Sequence, residues 1–317
     1  MTLTIEPYQE TLKQEWDNLI DSSVNGTFMH TRRFLSYHNE KFEDLSTVIL
    51  DNDSNLVGIF ACAKDLLNPY LVTSHPGLTY GGIVHNGTIR SDVMTSVMRM
   101  LLAYYKDKGF NSLKYKAVPF IYHKIISSDD LYTVFQLGGK TFRIDLSATI
   151  DLTKAVQLSH GRQSDIKKAI SSGVTISSDW NNVSHYWKAL EINLHLHNAV
   201  PTHNVNEILA LKSLFETNIE LICAIYNNKV VAGTLLFITN TAVHTQYIGS
   251  IDPGRKLGAV SLVIDAAIKR ASQLGVRYFD FGISTEMEGR ILNSTLQNFK
   301  RSFGAGSTIY EQFIMDL

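Results

Sequence analysis

The sequence has little cysteine and almost no net charge. Among 317 residues there are two cysteines, and 29 Lys+Arg stand against 30 Asp+Glu for a net charge of -1. Cys62 and Cys223 each lie inside an apolar run, IFACA and IELICAI, so they read as buried free thiols and not as a disulfide or a metal pair. The balanced charge excludes a global field that would draw the chain to duplex DNA or an anionic membrane. Any phosphate recognition must come from local basic clusters. No apolar run approaches the ~18 residues that a spanning helix needs, although peripheral membrane contact stays open. The opening MTLTIEPYQE has neither a basic n-region nor an apolar h-region, so no signal peptide is expected and a cytoplasmic location is. Low-complexity segments are absent too. The hydrophobic content of 44% suffices for two sizeable cores, and the length favours two domains.

What is present is an internal repeat. IELICAIYNNKVVAGTLLFITN (219–240) reads as strand, Asn227-Asn228 turn, strand. A third apolar run, HTQYIGS (244–250), leads into the Gly/Arg-rich SIDPGRKLGA, a helix of about 15 residues ending at Gly275, and the strand VRYFDFG. The first half has the same order: STVIL, DNDSN, LVGIFACA, GLTYGGIV, a helix from about Ser91 to Lys108, Gly109, and NSLKYKAV. Such self-similarity fixes architecture before any residue is given a role. It predicts an α/β chain with mixed sheets in two similar domains, 1–150 and 151–317.

Flanking helices are expected at about 9–22, 31–37, 127–138, 160–172, 181–197, 204–215 and 293–303, with a last strand in TIYEQFIMDL. GKTFRIDLSATIDL reads as an extended link between the domains.

Hairpin, strand, helix and parallel strand in this order resemble the GNAT acyltransferase fold, whose mixed sheet splays open after a central hairpin. Two such units resemble the FemABX family. GRQSDIKKAISSGV looks like that family's basic helix, and RYFDFGIS followed by LNSTLQNFKRSFGA looks like its closing signature. NGTFMHTRRFL, IYHKIISSDDLY, VPTHNVNEI, HTQYIGS and DFGISTEMEGRILN resemble segments of the FemAB-like proteins encoded with bacterial surface-polysaccharide genes. The resemblance implies an acyl- or aminoacyltransferase whose acceptor is an amino group of a phosphate-bearing glycan precursor, either a nucleotide sugar or a lipid-linked one. It implies acyl-CoA, acyl carrier protein or aminoacyl-tRNA as donor, with no tightly bound cofactor. One departure concerns the donor loop. In Arg255-Lys256-Leu257-Gly258-Ala259-Val260, Arg255, Gly258 and Ala259 fit the GNAT pyrophosphate loop, but Val260 stands where Gly or Ala belongs.

Acyl transfer to an amine needs a carbonyl polariser, a proton acceptor and anchors. His-Thr-Gln inside an apolar strand is unusual, since buried polar groups need partners. Strict alternation would send His244, Gln246 and Ile248 to one face and Thr245, Tyr247 and Gly249 to the other. These residues either line an acyl cleft or form an internal network. Asp280, between Phe279 and Phe281, suits a base in apolar surroundings or a structural partner for Arg277 or Arg290. Glu286, in the following loop, is a rival carboxylate. The family likeness makes Lys300 a phosphate anchor. Arg162 and Lys168, with Lys167, form a second basic cluster, and Arg32 a third; a solvated surface is the alternative for each. His203 suits a substrate pocket or a loop anchor. Gln246, Tyr247 and Asn293 complete the expected substrate contacts. His195, His197 and His203 do not have the spacing of a common metal site. Tyr80, Tyr115, Tyr122 and His123 could line an acceptor groove or fill a core. A non-catalytic scaffold that kept the double fold is the reading from another class.

Overall fold

A computed structural model describes residues 3–196 and 199–317. The chain divides into two compact units. The first comprises 1–146, 285–291 and 309–317, and the second 147–284 and 292–308. A single cut near residue 150 would give the two late segments to the second unit; in the structure both return to the first.

In the first unit β1 (Thr4–Pro7) precedes α1 (Lys13–Ser22), which buries Trp16, Leu19 and Ile20 at helical spacing. Helix α2 (Arg32–Leu35), β2 (Thr47–Leu50), β3 (Leu56–Phe60), β4 (Cys62–Lys64), β5 (Leu71–Ser74) and β6 (Ile83–His85) follow. Helix α3 (Asp92–Asp107) buries Met94, Val97, Met98, Leu101 and Tyr105 and leads into β7 (Ser112–Lys116). Helix α4 (Asp129–Gln136) and β8 (Lys140–Asp151) come next. Strands β1-β2-β3-β6 form one sheet, and β5 pairs parallel with β7. The expected strand LVGIFACA is broken at Ala61. Its first part, β3, lies in the four-stranded sheet, and its second part, β4, pairs with β5. The expected link GKTFRIDLSATIDL is a 12-residue strand.

The second unit opens with α5 (His160–Ser171) and β9 (Thr175–Ser177). Then come α6 (Val183–His195) and α7 (Val205–Leu214), the latter started by a reciprocal Asn204–Glu207 capping box. Strands β10 (Ile219–Tyr226), β11 (Lys229–Ile238) and β12 (Ala242–Ser250) form an antiparallel meander. A short α8 (Gly254–Leu257) and the long α9 (Ala259–Gln273) return the chain to β13 (Tyr278–Ile283), parallel to β12. Short strands β14 (Thr285–Glu286) and β15 (Ile291–Leu292), α10 (Ser294–Arg301) and β16 (Gly306–Asp316) complete the chain. The second core gathers Ile222, Leu236, Val243, Val263, Ile264, Phe279, Phe281 and Phe303, all buried, under α9. The β12–α9–β13 crossover is the one that the sequence predicts; in the first unit the strand parallel to β7 is β5, and the expected third strand GLTYGGIV forms only β6, paired with β3 in the four-stranded sheet.

Candidate active site

The second unit's sheet opens in its middle. β12 stays paired with β11 out to Ser250, but pairs with β13 only through Ala242, Val243 and His244, opposite Tyr278, Phe279 and Asp280. β13 meanwhile stays with β8 as far as Ile283 opposite Ser147. From Thr245 onward the two strands diverge, so the His244–Asp280 pair stands at the apex of the opening.

A β-bulge sets what faces it. The β11–β12 register steps from Leu235↔Tyr247 to Leu236↔Thr245, leaving Gln246 as the extra residue. Residues opposite each other share a face, and Phe237, two positions from Leu235, opposes His244. His244 and Tyr247 therefore share one face and Thr245 takes the other. This corrects the strict alternation expected from sequence, because a bulge advances the pleat by one residue.

Asp280 is fully buried and saturated with partners. Its Oδ1 accepts from Ser147 Oγ at 2.5 Å and Thr149 Oγ1 at 2.9 Å, and its Oδ2 lies 2.7 Å from His244 Nδ1. A carboxylate at Nδ1 keeps the proton on that nitrogen and presents Nε2 as the basic one. Asp280 thus orients His244; it is not itself the proton acceptor, and neither Arg277 nor Arg290 is its partner here, Arg277 reaching Asp151 at 3.4 Å. Ser147 and Thr149 escaped the sequence reading. The signal was there in DLSATID, where Asp145, Ser147, Thr149 and Asp151 alternate with apolar residues on one strand.

Gly282 closes the apex. It has a φ of +74°, and a Cβ there would lie 3.1 Å from His244 Cε1. Lys300, buried on α10, donates to the carbonyls of Gly282 at 2.8 Å and Ile283 at 2.6 Å. Burial pushes its ammonium down to about 8, against the pull of Asp280. Two of its three hydrogens are used on the main chain at the end of β13, so the expected phosphate anchor is held as a strut. Asn293 caps α10, its Oδ1 accepting from Leu296 N at 3.0 Å.

On the face shared with His244, the Tyr247 ring meets Trp187 edge-on at 5.4 Å. Its hydroxyl accepts from His203 N at 3.2 Å and lies 2.7 Å from His203 Nδ1. His203 is a loop anchor. Two buried polar atoms near β12 have no hydrogen-bond partner: Thr245 Oγ1 and Trp187 Nε1.

The remaining expected residues lie elsewhere. Arg162 Nη1 donates to Ser261 Oγ at 2.9 Å and pairs with Asp165 at 3.0 Å, its guanidinium over Phe299 and Phe303. It is an internal clamp, while Lys168 and Lys167 are exposed on α5. Arg255 is exposed and pairs with Asp252 at 3.4 Å; Gly258 and Ala259 are buried at the start of α9. Arg32 belongs to the first unit, paired with Asp44 at 2.5 Å and stacked on Tyr8 at 3.8 Å. Glu286 is exposed on β14. His195 is exposed at the end of α6, and His197 lies outside the described residues. Tyr80, Tyr115, Tyr122 and His123 are buried in the first unit, with Tyr115 donating to Asp130 Oδ2 at 2.8 Å.

Comparison with known proteins agrees with this fold. Residues 196–301 match the acetyltransferase (GNAT) domain family. No curated protein matches the sequence. Among solved structures, FemX is similar with a TM-score of 0.70 at 12% identity, over 99% of this chain and 97% of its own. A tandem GNAT protein from the clavulanic acid biosynthesis pathway is similar at 0.54 and 10%, over 99% and 98%. The chain has a tandem GNAT fold. The C-terminal domain of a putative lysylphosphatidylglycerol synthetase from Agrobacterium fabrum shares it at 0.59 and 12%, over 85% and 84%. At these identities the likeness is one of fold, and function rests on the site. In this tandem GNAT chain the split strands, the bulge and the His244–Asp280 pair all fall in the second unit. Among the described residues, no helix is long and apolar enough to cross a membrane.

Proposed function

We propose that the second unit is an acyl- or aminoacyltransferase acting on an amino group of a cell-wall or surface-polysaccharide precursor. The observation that carries the reading is the buried Asp280 holding His244 where β12 and β13 part. The amine nitrogen attacks the carbonyl carbon of an ester or thioester, forming the C–N bond and a tetrahedral oxyanion. His244 Nε2 takes the proton the nitrogen must lose. Collapse of the oxyanion breaks the C–O or C–S bond, and the departing oxygen or sulfur takes the proton back from the His244 imidazolium. The edge of β12 beyond His244 has no β13 ladder, so main-chain N–H groups on that edge are placed to meet the oxyanion. The name of the putative lysylphosphatidylglycerol synthetase, which joins an aminoacyl group to a lipid, is in keeping with an aminoacyl donor and a lipid-linked acceptor.

The test is transfer of labelled acyl and aminoacyl groups to amino-sugar and peptide acceptors, with and without a phosphate or lipid carrier. Turnover lost in His244→Gln supports the reading. Equal turnover in wild type and His244→Gln removes His244, and binding without turnover across the panel favours a scaffold.

A further inference from the structure

GNAT acyltransferases hold the pyrophosphate of coenzyme A on the main chain that opens the helix after the split strand, here α9. That place is filled by the protein itself. A Cβ at Gly258 would lie 2.5 Å from the Asp165 carbonyl oxygen and 3.0 Å from Asp165 Cα, so α5 runs against the backbone of the turn. Asp165 also accepts from Ser261 Oγ at 3.1 Å, which puts a carboxylate where the first turn of α9 would meet a phosphate. Arg162 closes the arrangement, bound to both Ser261 and Asp165. The approach to α5 is fixed as well: Ser159 N donates to Ser302 O at 2.8 Å, and a Cβ at Gly304 would lie 2.9 Å from Gln157 O. Val260, half-buried, packs against the core where the loop pattern has Gly or Ala.

We infer that α5, clamped by Arg162 and Asp165, is a donor-specificity element: it replaces the pyrophosphate on α9, so the acyl donor is an ester or thioester whose carrier presents no diphosphate there. This rests on the transferase reading for its word donor, but its geometry does not depend on turnover. The glycine in the turn, taken from sequence as a mark of nucleotide approach, is needed for the approach of a helix.

Hydrogen exchange of the full chain, with and without coenzyme A at millimolar concentration, reads binding without requiring activity. In wild type, exchange at 255–262 is expected to be unchanged by coenzyme A. In the Arg162→Ala/Asp165→Ala double variant, 157–172 and 259–262 should exchange faster, and coenzyme A should now protect 259–262. Protection of 259–262 by coenzyme A in wild type overturns the inference. So does a folded double variant whose exchange matches wild type, because α5 would then not be held by these groups. Absence of acyl transfer with every donor, by contrast, would count against the transferase reading and leave the occlusion standing.

Discussion

His244 and Asp280 are the last residues paired across β12 and β13, and their side chains meet at 2.7 Å. A single register thus sets both the end of the ladder and the partner of the imidazole. Asp280→Asn keeps the shape but offers an amide where Nδ1–H needs a carboxylate. It should lower kcat/KM by roughly 10²–10⁴ with folding intact. His244→Gln should cost a similar factor, and the double variant little more than either, since the two act as a unit. A fall below about tenfold in Asp280→Asn returns that carboxylate to a purely structural role.

Gly282→Ala tests the apex. The substitution places a Cβ at a φ of +74°, 3.1 Å from the His244 ring. It should cost about 1–2 kcal/mol of stability from backbone strain and, in addition, displace His244 and lower the rate. Gly275→Ala is the control: its φ is +71°, but the added Cβ meets nothing within 4 Å. That variant should lose stability and keep its specific activity. Equal activity in the two variants would detach Gly282 from the site.

Lys300 gives a pH signature. Its folded value of about 8 lies below the ordinary 10.5, so between those two pH values the unfolded chain binds more protons than the folded one. Stability from this group therefore rises with pH across that window, is fully present above 10.5 and is lost as pH falls through about 8. The full swing is about 3 kcal/mol. Denaturant titrations at several pH values should show the wild-type minus Lys300→Met difference changing in that direction. A difference that stays flat with pH would mean the ammonium is not held in this desolvated site.

Tyr247→Phe removes the acceptor of His203 N and the partner of its ring. A loss of about 1–3 kcal/mol is expected, the cost of leaving buried polar groups unpaired. Exchange at 199–204 should quicken while exchange in α9 does not. Unchanged exchange at 199–204 would show that the loop is anchored by other contacts.

Much of this fold could be read in the sequence because its signals are local. Asn204 and Glu207 mark a helix start by their spacing, and Gly109, Gly173 and Gly275 end helices in the left-handed region. β5 was missed because LVTS is a four-residue run between Pro69 and Pro76, too short to declare a period. The site was legible in composition and not in orientation. His244 and Asp280 stood out as polar residues in apolar strands, but the bulge at Gln246 reversed the expected faces, and a bulge depends on pairing with β11. Lys300, Arg162 and Arg32 resembled anchors because charge is visible in sequence. Most of their partners, two carbonyls, Ser261 and Asp44, are brought by tertiary folding, whereas Asp165 lies one helical turn from Arg162.

Strand β7 pairs along its length with β16, Ser112 opposite Asp316 and Lys116 opposite Gln312, and residues 309–317 belong to the first unit. The order of synthesis is therefore not the order of completion. While the ribosome makes residues 147–308, the first unit is short of a strand, and β7 has an edge of unpaired backbone groups until the last residues emerge. A fragment ending near residue 150 would keep that edge permanently, and would be a candidate for aggregation more than a separable domain.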